Sequence, residues 1–67
     1  MTLHRLEKGS DTRSLESRVS RDGGTFELVV IRDGVNRVES FSSLEAMLVR
    51  ERQLIGAWDA HGWREIK

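Results

Sequence analysis

The chain has 67 residues and a mass of 7.7 kDa, enough for one small domain. It carries 11 Lys plus Arg against 11 Asp plus Glu, a formal net charge of zero, and has no Cys, Pro or Tyr, which excludes a disulfide mini-protein, a thiolate metal site, a Cys nucleophile and a polybasic nucleic-acid arm. No apolar run approaches the roughly 20 residues that span a bilayer. The mixed-charge start Met1–Lys8 lacks the apolar core of a secretory leader, so the expected location is cytosolic and no membrane partner is expected.

Residues 1–13 show no clear period and contain Gly9-Ser10-Asp11, so they read as a loose or extended arm ahead of a domain over 14–67. Three strand-like runs follow: Leu15–Ser20, Thr25–Arg32 and Val35–Phe41. The middle run, Thr25-Phe-Glu-Leu-Val-Val-Ile-Arg32, is rich in β-branched residues, which fit a pleated surface. Asp22-Gly23 and Asp33-Gly34 separate the runs and suggest two type I′ hairpin turns. Such turns set Val19 opposite Phe26, Leu15 opposite Val30 and Phe26 opposite Phe41. One face then carries Leu15, Val19, Phe26, Leu28, Val30, Val35 and Phe41, the expected core. The other carries Val29, Ile31 and Val38 among Glu16, Arg18, Glu27 and Asn36. A one-residue slip in the second turn would exchange the faces of the third strand.

A helix is expected over 43–61. Ser42-Ser-Leu-Glu45 fits a capping box at its start. At its end Gly62 suits the left-handed position after His61, with Trp63 and Trp58 as the apolar pair of a Schellman motif. Trp63–Ile66 then supplies a short closing strand. The expected architecture is α+β in the order β-β-β-α-β, with one helix on one face of a small antiparallel sheet.

Leu44, Met47, Leu48, Leu54, Ile55 and Trp58 form the broad stripe that would cover the sheet. Glu51 projects near the middle of that stripe. A carboxylate there needs a partner, and Arg37 or Arg32 on the inner sheet face is the expected one. A perturbed carboxylate serving a small-ligand or catalytic site is the sharper alternative; a structural ion pair, or a helix locally rotated so that Glu51 reaches the rim, is the plainer one. The opposite side of the helix holds Ala46, Val49, Gln53, Gly56, Ala57 and Ala60, a strip without charge in a chain one-third charged. With Val29, Ile31 and Val38, this leaves two surfaces short of cover, and Val49, Gln53, Gly56 and Ala60 join the three sheet residues as expected partner contacts.

Patterns of catalytic or metal chemistry are lacking. His4 and His61 are far apart and form no His-x-His or His-Glu-x-x-His pattern. His61 fits the negative end of the helix dipole. The serines include no Gly-x-Ser-x-Gly elbow, and Gly23-Gly24 has no Walker spacing. No enzyme, cofactor or metal is expected. Arg18, Arg32 and Arg37 alternate with Glu16, Glu27 and Glu39, so phosphate-driven binding of nucleic acid is disfavoured but retained as an alternative.

The tail Gln53–Ile66, a helix followed by Gly62-Trp63-Arg-Glu-Ile66, resembles the ending of a family of short uncharacterised bacterial proteins with strands, one helix and a final strand. The resemblance implies the helix-then-strand ending and no activity. A small, charge-balanced chain is also typical of phage- or plasmid-borne accessory proteins, an association rather than a derivation. The expected function is a small non-enzymatic protein-interaction module, a homo-oligomer such as a homodimer, or an adaptor or inhibitor of another protein.

Overall fold

The structure, a computed structural model, describes residues 2–66; Met1 and Lys67, the outer ends of the expected arm and domain, lie outside the described residues. The order is β1 (Thr2–Lys8), β2 (Asp11–Val19), β3 (Phe26–Arg32), β4 (Val35–Phe41), α1 (Leu44–Ala60) and β5 (Arg64–Glu65). All five strands join one sheet in the order β4-β3-β2-β1-β5, and every pairing is antiparallel. The α+β class and the single helix on one face are as the sequence suggests, with one strand more.

That extra strand overturns the expected arm. Residues 2–8 form β1, which lies inside the sheet between β2 and β5. Its register with β2 is continuous from Thr2↔Ser17 to Lys8↔Asp11. Gly9 and Ser10 close the hairpin, with Gly9 at φ 62°, as a Gly-first two-residue turn requires. The pattern hid the strand because Leu3 and Leu6 are three apart and point to opposite faces. Leu6 is buried under the helix side and Leu3 is exposed on the other.

The two Asp-Gly turns differ from one another. Asp33 and Gly34 both have positive φ, 52° and 75°, the type I′ signature. Across 20–25 the loop is four residues long. The Ser20 amide donates to the Thr25 carbonyl at 2.8 Å, and Gly23 but not Asp22 has positive φ. Asp22 instead accepts from Ser20 Oγ at 2.6 Å and from the Gly24 amide at 2.9 Å. The expected type I′ turn at Asp22-Gly23 is therefore wrong in type. Its register is right all the same, because a two-residue and a four-residue loop centred on the same bond leave Val19 opposite Phe26.

The core is Leu15, Leu28, Val30 and Met47, flanked by Phe26, Phe41, Leu54, Ile55 and Trp58. Val19 and Val35, expected there, are 46% and 60% exposed, because they sit at strand ends that one 17-residue helix does not cover. Leu44 and Leu48 flank the helix stripe and remain exposed. The helix packs on β3 and β4. Its N-cap is Ser43, one residue later than expected, and Ser43 Oγ accepts from the Ala46 amide at 3.1 Å. Ala46 cannot return the bond, so the box is half formed, and Glu45 contributes through the positive end of the dipole.

The helix end follows the Schellman pattern. Gly62 has φ 91°, its amide donates to the Asp59 carbonyl at 3.0 Å, and the Trp63 amide donates to the Trp58 carbonyl at 2.9 Å. His61 Nδ1 donates to the Ala57 carbonyl at 2.7 Å. The radius of gyration is 12.1 Å, against about 11 Å for a compact globule of this length. The extents, 37 × 22 × 19 Å, show a molecule elongated along one axis.

Candidate functional site

Alternation assigns each strand residue to a face. On the side away from α1 lie Leu3 and Arg5 from β1, Ser14, Glu16 and Arg18 from β2, Glu27, Val29 and Ile31 from β3, and Asn36, Val38 and Ser40 from β4. Leu3, Glu16, Val29 and Val38 form one row across four strands. β1 widens this face instead of folding over it.

The expected contact residues divide into three groups. Val38 is 49% exposed, and Ile31 is half-buried on the same face. Val29 is only 3% exposed, so it is not available as a contact. It stands on a central strand, paired with Glu16 of β2 on one side and Val38 of β4 on the other. Val49, Gln53, Gly56 and Ala60 are exposed on the helix, on the opposite side of the molecule. A Cβ at Gly56 would meet nothing within 4 Å. Leu3, 53% exposed, joins Val38 and Ile31 on this face, a placement the sequence did not reveal, since it required β1 to be a strand.

The open face carries charges of both signs, and one ion pair crosses it. Arg18 Nε donates to Glu27 Oε1 at 2.9 Å, directly across β2 and β3. Arg32 and Arg37 project from the helix side, so the three arginines considered for nucleic acid share no patch. Glu39 is held by Arg50 of the helix, at 3.0 Å through Nε.

Glu51 does project from the covered stripe, with its side chain 13% exposed. Its partners are not Arg32 or Arg37, which belong to β3 and β4, but residues of β1. Thr2 Oγ1 donates to Glu51 Oε2 at 3.0 Å, and His4 Nε2 lies 3.6 Å from the same oxygen. His4 Nδ1 donates to Glu65 Oε1 at 2.9 Å; a carboxylate only accepts, so this nitrogen carries the proton. Thr2 Oγ1 and the buried Ser17 Oγ are 2.6 Å apart. Since the Thr2 proton goes to Glu51, the Ser17 hydroxyl must donate to Thr2, and Ser17 in turn accepts from the Thr2 amide at 3.1 Å. A carboxylate on the helix thus orders a chain of hydroxyls that ties β1 to β2. His4, Leu48, Glu51, Arg52 and Ile55 line a hollow of about 200 Å³ beside it.

Among the described residues, Arg13 and Asp22 have shifted titration. Burial and the nearby Arg32 charge lower the pKa of Arg13. Hydrogen bonds from Ser20 and then from the Gly24 amide lower that of Asp22. Among the described residues, no group of three or more His, Cys, Asp or Glu is placed to hold a metal ion. No helix among them is long and apolar enough to cross a membrane. No family model matches the chain, and no curated protein or solved structure matches it.

Proposed function

We propose that this chain is a small protein-interaction module without catalytic activity of its own, which docks through the open face of its sheet. The observation that carries this function is the bare side of a five-stranded sheet; the one helix among the described residues lies on the other side. Leu3, Ile31 and Val38 stand on the bare side among charged side chains of both signs, Arg5 and Arg18 with Glu7, Glu16 and Glu27. Apolar side chains within a rim of mixed charge suit another protein surface. They give a polyanion little to hold.

Photo-crosslinking in the cells that make the protein tests this function. A photoreactive residue replaces Leu3 or Val38 on the open face, or Arg52 on the helix side. The expected result is a discrete adduct from Leu3 or Val38 and none from Arg52. Adducts from all three positions alike, or from none, overturn it.

A further inference from the structure

Strand β4 ends the sheet with its outer side unpaired. Its register with β3 runs without interruption from Arg32↔Val35 to Phe26↔Phe41. The two-residue turn at Asp33-Gly34 makes Arg32 and Val35 the hydrogen-bonded pair that closes the hairpin. Alternation then gives the amides and carbonyls of Val35, Arg37, Glu39 and Phe41 to β3. Those of Asn36, Val38 and Ser40 turn outward. This edge is seven residues long and has neither a proline nor a bulge, the usual protections of an exposed strand. The opposite edge, β5, is two residues long.

We propose that β4 pairs with β4 of a second copy, antiparallel, about a two-fold axis through Val38. The inference goes beyond the interaction-module function: the strand edge takes a second copy and leaves the open face of each free. The edge is complementary to itself in this register. Val38 meets the partner's Val38, Asn36 meets the partner's Ser40, and Arg37 meets the partner's Glu39. At the two ends Val35 meets the partner's Phe41. Asn36, Val38 and Ser40, whose backbone groups point outward, fall together in the hydrogen-bonded positions. Shifting the pairing by two residues keeps those bonds but sets Arg37 against the partner's Arg37, or Glu39 against the partner's Glu39. Like charges directly opposite are unfavourable, so the charge pattern selects one register. Arg50 already holds the Glu39 carboxylate on the helix side, where the partner's Arg37 arrives.

The axis of such a pair stands perpendicular to the sheet. Both helices stay on one side and both bare faces on the other, with Val38 at the centre of one doubled platform. Adding a strand at an open edge is a recurrent mode of recognition. An isologous contact also closes on itself, so it does not propagate into a fibre.

Sedimentation equilibrium of the whole chain tests the pairing, with circular dichroism confirming that each variant is folded. The wild type is expected to be a dimer. Arg37→Glu sets acid against acid across the axis, and Glu39→Arg sets base against base. Each alone is expected to weaken dimerisation roughly tenfold or more. Mixed one to one, the two variants place opposite charges in every cross-edge pair, and a heterodimer is expected. A wild type that stays monomeric at NMR concentrations overturns the inference, as does a dimer that both variants leave intact. An adduct between Leu3 and a different protein, alongside a monomeric wild type, would retain the interaction module and remove only this partner.

Discussion

The guanidinium carbon of Arg13 lies 3.9 Å from the ring centroid of Trp63. The Trp58 ring centroid is 5.0 Å away, so one cation from β2 joins the last helical turn to the residue that leads into β5. Arg13 Nε is buried and, among the described residues, has no hydrogen-bond partner. The two aromatic rings are the neighbours this cation meets on the helix side. Arg13→Met keeps most of the stem and removes the cation, and should cost about 1 kcal/mol. Arg13→Ala also loses the packing of the stem and should cost about 2 kcal/mol. Urea unfolding followed by tryptophan fluorescence measures both.

Asp22 organises the loop between β2 and β3. The Ser20 hydroxyl and the Gly24 amide hold its carboxylate and depress its pKa. The sign follows from a folded-state pKa below the unfolded one. The contribution is complete above the ordinary aspartate pKa and is lost as pH falls through the lower folded value. Asp22→Ala should therefore reduce stability at neutral pH and flatten that part of the acid decline. Urea midpoints across an acid pH series, wild type against variant, check both effects.

Two glycine-to-alanine substitutions should have opposite signs. Gly56 is inside α1, and a Cβ there meets nothing within 4 Å. Gly56→Ala should stabilise by about 1 kcal/mol through helix propensity. Gly62 has φ 91°, and its added Cβ would reach Lys8 Cε at an ordinary 3.6 Å, so backbone strain alone opposes it. Gly62→Ala should destabilise by about 1–2 kcal/mol. Thermal unfolding of the two variants reads the difference.

The hydroxyl chain from Ser17 through Thr2 to Glu51 predicts a graded loss. Ser17→Ala leaves the Thr2 amide without its acceptor and Thr2 Oγ1 without its donor. A cost of about 1–2 kcal/mol is expected. Thr2→Val removes the donor to Glu51 and should cost about 1 kcal/mol. Adding Thr2→Val to Ser17→Ala should cost less than the sum, because the two share a bond. Chemical denaturation of the double-mutant cycle measures the coupling.

The sequence by itself determined the parts governed by near neighbours. Alternation in Thr25–Arg32, together with Asp33-Gly34, fixed the central hairpin and its faces, because side-chain period and turn geometry leave one register. Gly62 fixed the helix end, since only a left-handed residue completes the Schellman bonds. Tertiary structure decided what depends on contacts distant in sequence. β1 was illegible because an inner strand with one covered and one bare face can place Leu3 and Leu6 out of phase, and its cover comes from a helix some forty residues later. The partner of Glu51 followed from β1: with residues 2–8 in the sheet, Thr2 and His4 reach the carboxylate and Arg32 and Arg37 do not. The burial of Val29 was likewise out of reach of the sequence, because its place on a central strand between Glu16 and Val38 exists only when three strands are aligned.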